Sequence, residues 1–350
     1  MNAPDMSRDL VIRTAGGFSL RWPPRGFAVA LACLLVAFAV SVLSIGGGDY
    51  PMSPGVVLRT LLGDGGTAET FIVHELRLPR VATALLVGAA LGLGGALFQS
   101  LSRNPLGSPD ILGFTQGAAA GVLTMIVLFG GGGLAVAAGS VGGGLLTGVV
   151  MIAITGRNGA HGTRLVLVGI GLAAILTGVN GYLITRAQIT EAARAVLWLT
   201  GSLDGRDFGD SAPLLIAMAV LVPLVLAFGR QLRMLEMGDD AANALGVPIG
   251  RTRLILLAAA VLLVSFAAAA AGPVAFVALT APQLARRLTR TTGPNLLPSL
   301  FMGAALMIAA DFAGQRLFPG HQLPVGVVTG LLGGAYLVWL LATQRKSGRI

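Results

Sequence analysis

The sequence is poor in the residues that most enzymes use for chemistry. Only 11% of its 350 residues are charged and 6% aromatic, with one cysteine and three histidines. The single cysteine, Cys33, permits neither an internal disulfide nor a thiolate metal cluster. His74, His161 and His321 are far apart in sequence, and no pair has metal-ligand spacing. There is no glycine-rich Walker loop, so the chain does not itself bind ATP in that way. No Gly-x-Ser-x-Gly nucleophile turn occurs either. Lys346 is the only lysine, which reads as a coding bias towards arginine.

Apolar residues dominate instead. They make up 55% of the chain, the mean hydropathy is +0.82, and there are 51 glycines. A soluble domain this apolar lacks the polar residues to cover its surface. Ten apolar runs approach or reach the length needed to cross a bilayer at about 1.5 Å per residue. They fall near 26–45, 78–101, 111–130, 134–155, 164–185, 212–229, 253–271, 273–288, 296–313 and 323–343. The first is too long for the core of a signal peptide and lacks a small-residue cleavage site, so it is expected to remain as a helix. Pro79 opens the second, where a helix tolerates proline best. Asn104-Pro105 and Ser108-Pro109 break the chain after it. Residues 46–75 are polar and punctuated by Gly and Pro, hence a predicted loop. The run 273–288 is short, with a partial or re-entrant span as the alternative. The expectation is an all-α polytopic membrane protein. Its single domain is 26–343, between a polar tail at 1–25 and a short tail at 344–350.

An even number of spans places both tails on one side, and most of the 24 Lys and Arg fall there. The positive-inside rule makes that side cytoplasmic. The net charge of +9 therefore follows membrane topology rather than nucleic-acid binding. On the same side lies a polar island, 234–250, holding Glu236, Asp239 and Asp240 and bracketed by Arg230, Arg233, Arg251 and Arg253. Small-xxx-small spacing at Gly88/Gly92, Gly117/Gly121, Gly139/Gly143 and Gly326/Gly330/Gly334 predicts close helix–helix contact. Asp311 is the clear acid at membrane depth. Its expected role is a helix-end carboxylate bonded to a neighbouring helix or to Arg316, with a place in the path as the alternative. Paired ionisable groups near the midplane, the mark of a proton- or sodium-coupled carrier, are missing or weak. An importer built this way needs an external energy source, and the island is the place to attach one.

Several ordered motifs carry a family resemblance. Leu76-Arg77-Leu78-Pro79-Arg80, Gly88-Ala89-Ala90-Leu91 and Gln99 to Leu106 are followed by Trp198-Leu199-Thr200-Gly201-Ser202-Leu203. Then come Gly238-Asp239-Asp240-Ala241 to Leu245-Gly246, Ala271-Gly272-Pro273 to Pro282, and Leu323-Pro324-Val325-Gly326-Val327-Val328-Thr329. Over residues 77–343 the chain resembles the FecCD-type permeases, membrane subunits of ABC importers for iron-siderophores, haem and vitamin B12. The stretches 98–114 and 235–240 are most similar to the ferric-enterobactin branch. Three positions depart from the family pattern: Gln283 stands where His is usual, Gln322 where Glu is usual, and Gln315 where Arg is usual, with Arg316 one place later. The Gln322 form also occurs in the enterobactin branch.

The resemblance implies a type II ABC importer permease bundle that binds no cofactor and holds no metal. ATP and magnesium would sit on a separate ATPase present in two copies, beside a second and related permease. It implies a coupling element at Glu236, Gly238, Asp239, Asp240, Ala241, Leu245 and Gly246 that docks in the ATPase. The resemblance also assigns Arg77 and Arg80, with Arg316 as a third candidate, to pairing with glutamates of an extracytoplasmic siderophore-binding protein. A cytoplasmic gate is implied near Gly162 and Thr163. The bracketing arginines are expected to act as topology anchors rather than contacts.

Overall fold

The computed structural model describes residues 10–13, 19–22, 24–110, 112–155, 162–318 and 322–346. A short antiparallel ribbon, β1 (Leu10–Arg13) and β2 (Ser19–Trp22), places Leu10 opposite Trp22. Everything else with regular structure among the described residues is helical. In chain order the helices are α1 (Pro24–Gly46), α2 (Pro54–Leu61), α3 (Thr67–Phe71), α4 (Leu78–Ser102), α5 (Phe114–Phe129), α6 (Leu134–Thr155), α7 (Gly162–Arg186) and α8 (Ile189–Leu199). They continue as α9 (Phe208–Ala227), α10 (Gly229–Glu236), α11 (Asp239–Ala244), α12 (Ile249–Ala271), α13 (Val277–Thr289), α14 (Leu296–Arg316) and α15 (Val325–Lys346). A π-helical stretch, Ile72–Arg77, fuses α3 to α4, so that one helix runs from Thr67 to Ser102. Among the described residues seven helices are long and apolar enough to cross a membrane, and α5 and α15 are apolar over shorter lengths.

The predicted loop at 46–75 is corrected by α2 and α3. Ser53 Oγ accepts from the Val56 backbone N–H and Pro54 occupies the first turn of α2, while Glu69 accepts from the Gly66 N–H at the start of α3. Both are ordinary helix-start signals. The 273–288 run is also redrawn. Helix α13 has 13 residues, about 20 Å at the α-helical rise, and residues 272–276 ahead of it are not helical. Val274 in that segment is buried, and Gly272 and Phe276 both have positive φ. An irregular buried turn thus leads into a short helix.

Backbone approach sets the packing of the central helices. A Cβ on Gly88 would lie 2.3 Å from the Gly303 carbonyl oxygen, and one on Gly121 would lie 1.9 Å from that of Gly139. The first pair brings α4 into backbone contact with α14 and the second brings α5 into contact with α6, as the small-residue spacing predicts. The two Gly-Ala-Ala-Leu stretches, at 88–91 and 303–306, therefore face each other. Gly330 and Gly334 have nothing within 4 Å of their Cβ positions. Helices α1, α7, α9 and α15 carry exposed large apolar side chains such as Leu35, Ile175, Ile216 and Leu331, which suits contact with lipid or with another apolar helix.

Candidate functional site

The island forms the connection between α9 and α12 at one end of the bundle. Gly238 has φ +123 and Gly246 φ +77, both in the region that side chains disfavour, and a Cβ at either would meet nothing. Both glycines are thus required by backbone conformation and not by space. Between them α11 carries Asp239 and Asp240 in its first turn, where the helix dipole favours acids. Its last turn closes with Gly246 N–H to Asn243 O at 2.9 Å and Val247 N–H to Ala242 O at 3.0 Å. That is a Schellman motif, with Ala242 and Val247 both buried beneath it.

Two arginines hold α11 against the bundle. Arg253 is 8% exposed and its Nη2 donates to Asp239 Oδ1 at 3.0 Å. Arg103, which closes α4 with φ 49, donates from Nη2 to the same oxygen and from Nε to Leu235 O at 2.9 Å. Arg286 of α13 stands 3.8 Å from Glu236. Arg253 thus holds the mount from within the chain. The physical cause is its register: it lies on the α12 face turned towards α11. Asp239 is turned inwards as part of the mount. The outward side of the island shows Asp240, Ala244 and Gly246, with Met237 71% and Leu245 57% exposed. Ala241 is half-buried at the edge.

The other end of the bundle holds a second polar cluster. Arg80 Nε donates to both Asp311 oxygens at 3.2 Å, and its Nη2 donates to Oδ1 at 3.0 Å. Its Nη1 reaches Gln322 Oε1 at 2.8 Å and Asp204 Oδ1 at 3.4 Å. Asp311 is 1% exposed and accepts a further bond from Gln315 Nε2 at 2.7 Å. The partner of Asp311 is Arg80 of α4, which is the expected bond to a neighbouring helix, and not Arg316. Arg316 lies over the Phe312 ring at 4.3 Å and donates to Leu43 O at 3.3 Å, with its side chain exposed. Arg77 donates to Ile45 O at 2.5 Å and Tyr50 O at 2.9 Å, tying the end of α1 to the start of α4. Two of the three departures from the family pattern, Gln315 and Gln322, both touch this cluster. One replaces a usual cation and the other a usual anion, so together they leave its charge balance unchanged.

Three motifs separated by long stretches of sequence meet beside that cluster. Gly326 N–H donates to Gly201 O at 3.0 Å, and Ser202 N–H to Ala271 O at 2.8 Å. Cβ atoms on Gly201, Gly272 and Gly326 would fall 2.4, 2.4 and 2.2 Å from backbone oxygens of Pro273, Trp198 and Thr200. The third departure, Gln283, donates from Nε2 to Pro105 O and so pins α13 to the turn after α4. Asp110 in that turn escaped sequence reasoning. It accepts from Thr115 Oγ1 at 2.7 Å, from Ser108 Oγ at 3.2 Å and from the backbone N–H of Phe276, just ahead of α13. Burial holds its carboxyl above the usual carboxylate range, with these hydrogen bonds offsetting only part of the rise. Its only visible sequence signal was a polar Ser-Pro-Asp turn followed by Thr115.

Gly162 and Thr163 form the first turn of α7, and residues 156–161 before them lie outside the described residues. His161, His321 and most of the N-terminal tail lie outside them as well. Among the described residues no group of three His, Cys, Asp or Glu side chains could hold a metal.

The pattern of the FecCD transport family matches residues 33–343. The ferric enterobactin transport system permease protein FepG of Escherichia coli is 44% identical over 322 residues, covering 90% of this chain and 97% of that one. The ferric enterobactin permease FepD of the same organism is 36% identical over 323 residues, covering 91% and 95%. A solved metal-chelate type ABC transporter in an inward-facing conformation superposes with a TM-score of 0.80 at 25% identity, covering 90% of this chain and 99% of that one.

Proposed function

The chain belongs to the FecCD transport family, and on that premise we propose that it is the permease subunit of an ATP-driven importer for a ferric siderophore. The favoured cargo is a catecholate of the enterobactin type, and the membrane is the bacterial cytoplasmic membrane. Support for the cargo comes from FepG and FepD, both ferric enterobactin permeases by name. The vitamin B12 or haem reading has no such support among these relatives. In this proposal both tails and the island face the cytoplasm, and ATP is hydrolysed on two copies of a separate ATPase. A second, related permease completes the membrane part, and an extracytoplasmic binding protein delivers the siderophore to the Arg80 end.

The observation that carries the proposal is the form of the island. A short helix, α11, is held by Arg103 and Arg253 while Met237, Asp240 and Leu245 face outwards. A rigid mount with an apolar tip is suited to seat in a cleft of another protein, because little side-chain entropy is lost on docking. In the proposal the coupling element is 236–246, with Gly238 and Gly246 shaping it, Asp239 fixing it, and Asp240 and Leu245 making contact. At the opposite end Arg316 is the accessible docking arginine. Arg77 and Arg80, held by their own partners, would present preorganised edges. Gly162 and Thr163 would form the gate.

The test is uptake of ferric enterobactin by the reconstituted complex, with Leu245→Asp beside wild type. Loss of ATPase association with an intact permease pair is expected. Normal association and uptake in Leu245→Asp would rule out this docking element. Uptake of vitamin B12 or haem in place of any siderophore would overturn the cargo. Uptake that survives vanadate would show a self-powered carrier instead.

A further inference from the structure

A cavity of about 410 Å³ opens at the Arg80 end, and its lining includes Leu134 of α6, Arg194 and Trp198 of α8, and Arg206, Asp207 and Asp210 around the start of α9. The two acids are already engaged. Asp207 Oδ1 accepts from the Asp210 backbone N–H at 2.9 Å, and Asp210 lies 3.7 Å from Arg206. Two donors remain over. Arg194 is exposed and has no ion-pair or hydrogen-bond acceptor among the described residues. Trp198 is 8% exposed, and its indole Nε1–H is buried without an acceptor. A buried N–H seldom goes unbonded, so this one points to an acceptor that the chain does not supply.

The surroundings of the cavity are those of a membrane surface. Helix α8 is amphipathic, with Ile189 and Leu197 exposed on one side and Ala195 and Trp198 buried on the other. Leu134 and Phe129 stand exposed near the mouth of the cavity, and Leu215 and Ile216 are exposed further along α9. A cation and an indole N–H beside exposed apolar side chains match a ligand with an anionic head and apolar tails.

We propose that this cavity binds the phosphate head of an anionic phospholipid from the leaflet at the Arg80 end. Arg194 supplies the counter-charge, Trp198 supplies the neutral hydrogen bond, and the acyl chains lie along the exposed side of α9. A free phosphate ion offers the same oxygens without the tails, and the test separates the two.

The test uses the intact permease complex in detergent and counts bound lipid by native mass spectrometry. Phosphatidylglycerol and phosphatidylcholine are titrated separately, with inorganic phosphate as competitor. Wild type is expected to hold one phosphatidylglycerol per copy of this chain and to bind phosphatidylcholine more weakly. Arg194→Gln should weaken phosphatidylglycerol binding about tenfold and Trp198→Phe several-fold, as loss of one charge-assisted and one neutral hydrogen bond implies. Arg59→Gln, which removes another exposed arginine at the same end, should behave as wild type. Unchanged retention in Arg194→Gln overturns the proposal, and so does a loss equalled by Arg59→Gln. Displacement of the lipid by millimolar phosphate overturns it in favour of the free ion. Arg194 is exposed, so its variant carries the test even where Trp198→Phe fails to fold.

Discussion

Arg80→Gln is expected to destabilise the protein by about 3–5 kcal/mol, the usual cost of removing one partner from a buried ion pair. Asp311 is 1% exposed, and Arg80 supplies its only cation among the described residues, with three bonds between 3.0 and 3.2 Å. Without Arg80, the carboxylate keeps only the neutral Gln315 donor at 2.7 Å. Asp311→Asn is milder, at roughly 1–2 kcal/mol, because Arg80 retains Gln322 and the largely exposed Asp204. The double variant should lie closer to wild type than Arg80→Gln alone, since neither charge is then left without its partner. Thermal unfolding of the purified complex in nanodiscs reads all three, and for a chain this long the Arg80→Gln loss lowers Tm on the order of 5 °C. If Arg80 is instead a free side chain reserved for docking, its replacement leaves Tm unchanged. A drop below about 1 kcal/mol, or a double variant no better than the single one, refutes the buried-pair argument.

Gly238→Ala and Gly246→Ala should each cost about 1–3 kcal/mol locally, because both positions have positive φ; the readout is loss of ATPase stimulation with the bundle still folded. Asp239→Asn removes the counter-charge of the buried Arg253 and of Arg103, so ATPase association should fall more than in Asp240→Asn, measured by co-purification. Gln315→Arg alone adds an unbalanced cation beside Arg80 and should lower Tm, whereas Gln315→Arg with Gln322→Glu should recover it. Asp204→Asn removes the exposed anion beside Arg80 while Gln322 still holds Nη1, and should tighten binding of the extracytoplasmic protein at low salt, measured by surface plasmon resonance. No change there would argue that Arg80 does not face that partner.

Long apolar runs were legible because a crossing helix needs only length and hydropathy, and small-residue spacing foretold that α4 and α5 would pack through glycine faces. Helix α2 was missed because its start signals, Ser53-Pro54, sit inside a stretch rich in Gly and Pro that reads equally well as a turn. The break before α13 was visible as Gly272-Pro273, but its turn, with Phe276 at φ 67, is tied to Asp110 by a contact across more than 160 residues. The island's place and its two glycines were legible. The inward turn of Asp239 was not, because it depends on Arg103 at the end of a helix distant in sequence. The pairing of Asp311 with Arg80 was hidden for the same reason, since Arg316 is the nearer cation along the chain.

Arg80 and Arg103 belong to the same helix. The 25 residues of α4 span about 37 Å, with the Asp311 pair near the first turn and the Asp239 pair at the last. Gly88 and Gly92 press this helix against α14, and Gly95 presses it against α13. Smooth faces of this kind resist bending but permit sliding along the axis, as in shear between packed helices. An axial shift of α4 by one ångström at either end is a shift of one ångström at the other. The two polar clusters, remote in space, thus share one mechanical coordinate, a piston with an arginine at each end seated on a carboxylate of another helix.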